Sequence, residues 1–387
     1  MKRAPAPVVL GLALAAAATA PAAALLPGGP VSRAPYDGPP TQNVAVTVNL
    51  DLQAARDLLA LLSAPQLDPE RARALEALPA VQVAIRESRR PAEVFEKDLA
   101  SAFDDKARPT VFDFHRIREE SSRWKPLLET IAAREADLTK MASDRARALM
   151  PGDRPIGVTE AIFLTFGLPG RADHVAVPSP DGANWYVVVD LARALADEQG
   201  SAPSDQVKHL ARLMAGEAYQ RAWAEYRAGS AAWQKRDASL GQLEPLMRRV
   251  AESGPIALYS VDENFFPLAE WLRQPMRTSI DDLNRYADHL MAKGQDLDAR
   301  MEIAAEIQKP EFTSNLAGPA GAFLSDGIVQ GLGLDAYRAA LAAGPRAFFE
   351  AYDRASQKKG SGLIPLAKPI REQLAAPPAA AATPRKG

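Results

Sequence analysis

Residues 206 to 226 read QVKHLARLMAGEAYQRAWAEY. Laid on a helix at about 100° per residue, Val207, Met214 and Ala218 make one apolar stripe, joined by Leu210 and Ala211. His209, Gly216 and Gln220 cluster on the opposite side, and Glu217 lies between the two faces. The pattern predicts a central helix whose back sits in the core and whose front lines a cleft, with Ser204 or Asp205 as its cap. Trp223, Tyr226 and the nearby Trp233 are expected to pack.

Upstream of this helix the pattern has the period of strands. Thr159 to Phe166 is rich in β-branched and aromatic residues, and Trp185 to Asp190 (WYVVVD) is a second strand, with Pro180-Asp181-Gly182 supplying turn chemistry between them. These two strands are expected to form a hairpin ahead of the helix. Val44 to Leu50 alternates at period two and predicts another strand. Asp51 then caps a helix carrying Leu52, Ala55, Leu58, Leu59 and Leu62 on one stripe, and Asp68-Pro69 starts the next. Helical patterning continues over Ala92–Phe103 and over Phe114–Met150, with breaks near Pro109 and Pro126. It resumes from Leu243 to Ala355, with breaks at Gly254-Pro255, Pro275, Pro310, Gly318-Pro319 and Gly344-Pro345. The expected fold is mainly α with a small β-sheet near the middle, an α+β class.

The 387 residues carry 46 basic and 48 acidic side chains, a formal charge of −2, so nothing points to nucleic acid or an anionic membrane as partner. Hydrophobic residues are 47% of the chain and charged residues 24%, values that allow a sizeable core. The 32 prolines punctuate the chain into many short helical pieces. Lys2-Arg3, the apolar run Val8–Ala18 and the small residues Ala22-Ala23-Ala24 read as a signal peptide over residues 1–24, cleaved ahead of Leu25. A Pro/Gly-rich linker follows to residue 43. The expected organisation beyond it is a mainly helical region at 44–155, a second region at 156–355 and a partly disordered tail at 356–387, whose end is rich in Ala and Pro. Localisation is therefore expected to be periplasmic or secreted, without stable membrane insertion after cleavage, since no later stretch has the roughly 20 apolar residues of a membrane span. With no cysteine, stability must come from packing, and thiol catalysis and Cys-based metal sites are excluded.

Gly216-Glu217-Ala218-Tyr219-Gln220, after the strands ending in Phe163-Leu164-Thr165-Phe166-Gly167 and Val187-Val188-Val189-Asp190-Leu191, resembles the zinc helix of secreted gluzincin-type peptidases. In those proteins His-Glu-x-x-His holds zinc through two imidazoles one turn apart, and the Glu is the general base. The resemblance covers residues 156 to 355 and implies a zincin-like core, with the helical segments around Gly318-Pro319 and Gly344-Pro345 at its end. It places Glu217 at the vestigial general-base position, Gly216 and Gln220 at the two former ligand positions, and Glu252, in Glu252-Ser253-Gly254-Pro255, at the third. Both histidines are replaced, so no metal ligand set remains, zinc is expected to be lost, and restoring both imidazoles would be expected to restore zinc binding. His209 cannot substitute, lying about 10 Å from Gly216 along the axis. His115, His174 and His289 are isolated in sequence.

Other signatures fail. There is no Gly-x-Ser-x-Gly elbow. Gly152–Gly157 has P-loop glycine spacing but lacks its Lys, and Gly331-Leu332-Gly333 reads as a helix–helix break. Glu119-Glu120 reads as a solvated helix face. The resulting expectation is an exported, metallopeptidase-like pseudoenzyme whose cleft binds a peptide or protein. The alternatives are a non-enzymatic helical envelope protein unrelated to peptidases, and an active metallohydrolase with unrecognised ligands.

Overall fold

A computed structural model describes residues 43–104, 110–179, 185–198, 200–261, 264–292 and 296–377. The expected signal peptide, nearly all of the linker, the Pro180-Asp181-Gly182 turn and the end of the tail lie outside the described residues.

Strand β1 (Val44–Asp51) leads into helices α1 (Gln53–Leu62), α2 (Pro69–Glu76), α3 (Pro79–Ser88), α4 (Ala92–Ser101), α5 (Phe114–Glu119), α6 (Ser121–Ala133) and α7 (Glu135–Arg147). Strands β2 (Ile156–Thr165), β3 (His174–Pro178) and β4 (Trp185–Asp190) follow, then the short α8 (Leu191–Ala194), the long α9 (Pro203–Gly229) and α10 (Ala231–Gln234). A 3-10 turn at Ala238–Leu243 opens the last group, which comprises α11 (Glu244–Val261), α12 (Glu270–Ala292), α13 (Leu297–Gln308), α14 (Pro310–Phe312), α15 (Gly318–Leu332), α16 (Leu334–Ala343), α17 (Pro345–Ser356) and α18 (Lys368–Ala375). The described chain is thus mainly helical with one small mixed sheet.

The sheet order is β1-β2-β4-β3. β1 runs parallel to β2 from Val44↔Ile156 to Asp51↔Phe163, and β2 runs parallel to β4. Only β3 is antiparallel, pairing His174 with Val189 and Pro178 with Trp185. This corrects the expected hairpin. The two aliphatic strands are parallel neighbours, and parallel neighbours cannot be joined by a tight turn. The hairpin partner of β4 is the short β3, so the Pro-Asp-Gly segment lies between β3 and β4. The pairing of β1 with β2 also means that the expected boundary at 155/156 falls inside one sheet.

One sheet face, carrying Val44, Val46 and Val48 of β1 and Ile156, Val158, Glu160, Ile162 and Leu164 of β2, is buried. It is covered by α7 and α9, and Ser143 of α7 donates its place to the packing by accepting a hydrogen bond from Val48 N at 3.1 Å. Helices α1 and α3 pack against the sheet from elsewhere in the N-terminal part. Behind α9 lies the C-terminal helical layer, with α11 held between α9 and α15.

Several expected features differ in detail. Asp68 caps α2 by accepting from Glu70 N and Arg71 N, as its sequence predicts. α9 instead begins at Pro203 after Ala202, without a side-chain cap, because Pro at the first turn needs no N–H partner. Pro126, Pro255 and Pro275 sit inside α6, α11 and α12 rather than ending them. Tertiary packing holds these helices together despite the missing backbone donor. The glycine break after α15 is present, with Gly333 at φ 93°.

Candidate functional site

Glu217 projects from α9 toward the sheet and is held by two donors. His174 Nε2, on edge strand β3, lies 3.1 Å from Glu217 Oε1, and Gln220 Nε2 donates to the same oxygen at 3.0 Å. The other imidazole nitrogen of His174 meets Asp173 Oδ1 at 2.7 Å. An imidazole between two carboxylates is stabilised as imidazolium. The hydrogen bonds to Asp173 and then Glu217 push the His174 pKa up to about 10, against the opposing effect of burial. The Asp173 carboxyl is correspondingly held below its ordinary value, chiefly by its bond to His174.

Beneath this pair lies Glu160, in the inward phase of β2 and only 2% exposed. Its Oε2 has no hydrogen-bond partner. Burial, and then the Glu217 charge, push its pKa up to about 8, with Arg221 of α9 acting in the other direction. Arg221 itself lies over the Trp185 ring, 5.7 Å from its centroid. Asp190, at the end of β4, fixes the approach to the site. Its Oδ2 accepts from Leu168 N at 2.8 Å, its Oδ1 accepts from Ala192 N at 2.9 Å, and its own N–H donates to Asp173 O at 2.8 Å. The β2–β3 connection and the start of α8 are thereby tied to the buried Asp190 carboxyl, whose pKa burial raises, and the residue before β3 is tied to the Asp190 backbone.

The remaining expected site residues are placed elsewhere. Gly216 is not on an open face of α9: it is buried, and a Cβ there would meet Tyr259 Cβ of α11 at 3.4 Å. Gly216 sits at the margin where the apolar face of α9 turns toward α11, and the stacked Tyr219–Tyr259 pair (ring centroids 4.4 Å apart) fills the space beside it. Gln220 is exposed and belongs to the Glu217 cluster. Glu252 is paired with Arg227 at 2.8 Å, ten residues and about 15 Å of helix rise beyond Glu217. The backbone carbonyl of Glu252 accepts from Trp223 Nε1 at 3.0 Å, so its segment faces α9 while its carboxylate does not face Glu217. The α11 residue opposite Gly216 is Tyr259. His209 lies against Glu198 and Arg212, and His115 against Glu119. Among the described residues there is no group of three or more His, Cys, Asp and Glu side chains that could hold a metal ion. No described helix is long and apolar enough to cross a membrane.

Two residues of the cluster escaped the sequence reading. His174 stood alone in sequence, yet Asp173-His174 ahead of Val-Ala-Val is an imidazole beside its own carboxylate at the start of an alternating run. Glu160 occupies an apolar phase of the Ile156, Val158, Ile162, Leu164 alternation, which marks it as a carboxyl folded inward.

Both raised groups bind their protons more tightly in the folded chain, so their contribution to stability falls as pH rises. For Glu160 the loss runs between the ordinary value of 4.5 and about 8; for His174 it runs between 6.5 and about 10. The melting temperature should therefore decline from pH 5 to pH 10 in circular dichroism melts. Glu160→Gln should flatten the part below pH 8. A profile that is level or rising over this interval in the parent chain would contradict the placement of both groups.

No protein-family model, no curated protein and no solved structure matches the chain.

Proposed function

We propose that this is an exported protein with a zincin-like core, in which the edge strand β3, beside Glu217 of α9, binds an extended peptide segment without hydrolysing it. The observation that carries the reading is the locking of Glu217 to His174 of an edge strand. Both donors converge on Glu217 Oε1, so the carboxylate is anchored by protein groups of β3 and α9 rather than set against a metal site. The former ligand positions support the absence of hydrolysis alone, because Gly216 faces a packed tyrosine and Gln220 is engaged by Glu217. The arrangement of the parts fits a retained scaffold: α9 lies under the sheet, an antiparallel edge strand borders it, and the Glu252 segment of α11 backs it.

Binding rests on strand addition. Among the described residues β3 is an edge of the sheet, with β4 as its neighbour, so its outer side offers backbone groups to a further strand. Amide hydrogen exchange with and without peptides from a casein digest tests this. Protection should appear over His174–Pro178, with no zinc-dependent cleavage products. Unchanged exchange there, or cleavage that disappears in Glu217→Gln, would overturn the reading.

A further inference from the structure

Helix α13 carries apolar side chains that no described residue covers. Leu297 is 66% exposed and Met301 64%, and Ala304, close to one turn further on, is exposed as well. They border a groove of about 420 Å³ between α13 and the 3-10 turn at Ala238–Leu243, whose lining also includes the buried Leu290 of α12 and Ile307. That volume falls in the range of small-molecule sites, ~300–1,000 Å³, which are largely apolar with a few charged groups. We propose that this groove binds a single-chain fatty acid, with the alkyl chain against α13 and the carboxylate at Arg236 and Arg300.

The charges select an anion. Arg236, which follows α10, and Arg300 of α13 both line the groove, and neither has an ion-pair partner among the described residues. The two carboxylates in the lining are already engaged from outside it. Asp237 accepts from Arg346 Nε at 2.9 Å and from Ser239 N at 3.0 Å, and Glu244 Oε1 accepts from Arg248 Nε at 2.6 Å. Those pairs cancel, which leaves the charges of Arg236 and Arg300 uncompensated. Helix phase adds to this. At about 100° per residue, Leu297, Arg300, Met301, Ala304 and Ile307 fall within an arc of about 120°, and Asp298, Glu302 and Glu306 all lie outside it. Glu306 is bonded to Lys309. The helix thus turns its arginine toward the groove and its acids away.

A fatty acid supplies both the chain and the anion. An inorganic anion or a sugar would leave Leu297 and Met301 in water. A protein partner needs more surface, since a stable interface buries about 800 Å² on each side. Here the exposed apolar surface is one arc of a 12-residue helix. The unbranched thioether of Met301 adapts to a flexible alkyl chain. The groove shares no residue with the β3 edge or the Glu217 cluster, so it stands apart from the peptide-binding reading.

Calorimetric titration of the full chain at pH 8 and low ionic strength, with each carboxylate kept below its micelle concentration, tests the assignment. Decanoate should bind at one site per chain, about tenfold tighter than octanoate, because two further methylenes leave water. The double change Arg236→Gln, Arg300→Gln should weaken decanoate about tenfold and change decanol by less than twofold. Ala304→Trp, at an exposed position, should fill the groove and weaken both ligands about tenfold, with the thermal melt unchanged. No decanoate binding, or equal affinity for octanoate and decanoate, overturns the site. Equal loss of decanol and decanoate in the double variant overturns the role of the arginines. Unchanged binding in Ala304→Trp overturns the placement in this groove. A chain that sediments as a dimer, and becomes monomeric in Met301→Asp, gives the groove to a second copy and overturns the fatty-acid assignment.

Discussion

Gly321→Ala should lower the stability of this protein by about 3 kcal/mol or more, and Gly254→Ala should do the same. The two glycines mark the point where α11 and α15 touch backbone to backbone. A Cβ built on Gly321 would come 2.5 Å from Gly254 Cα, and one built on Gly254 would come 2.6 Å from Gly321 Cα. Neither obstacle is the end of a flexible side chain, so the helices must separate, and the packing of α11 behind α9 loosens with them. Gly157→Ala on β2 is the matched control, because a Cβ there meets nothing within 4 Å. Urea denaturation of the three variants reads the effect. A Gly321→Ala midpoint equal to that of the parent chain would contradict the helix crossing.

The second large effect is expected at Gly216. Gly216→Ala should be neutral or raise stability by about 0.5–1 kcal/mol, since the methyl group makes an ordinary contact with Tyr259. Gly216→His should cost about 2–3 kcal/mol, because an imidazole must enter a space already occupied by Tyr219 and Tyr259, which are 0% and 5% exposed. Gln220→His should be tolerated at its exposed position. The double change Gly216→His, Gln220→His should then bind zinc no tighter than Gln220→His alone. This reverses what the motif by itself suggests, and it follows from where the Gly216 side of the helix points. Tight zinc binding by a stably folded double variant would show that position 216 lies on an open face of α9 after all.

Much of the fold is legible in local pattern. β1 and β4 declare themselves by alternation and aliphatic runs, and α9 by its stripe of Val207, Leu210, Met214 and Ala218. What local pattern cannot supply is which strands are neighbours. β2 and β4 look like a hairpin in sequence because a turn segment lies between them, but β3 is only five residues long, contains Ala176 and ends in Pro178. The candidate site suffers from the same gap. Glu217 and Gln220 are read from one helix, whereas His174 and Glu160 join them only through the register of β3 against β4 and of β4 against β2. Glu252 illustrates the opposite error: its segment does face α9, but helix phase turns its carboxylate to Arg227.

Native mass spectrometry of the intact chain, mixed with casein-digest peptides in low-micromolar zinc, tests the central claim most directly. The account predicts complexes whose mass is that of one chain plus one uncut peptide, with no stoichiometric zinc and no shortened products over hours. A species carrying one zinc per chain, together with peptide fragments that disappear in Glu217→Gln, would contradict it.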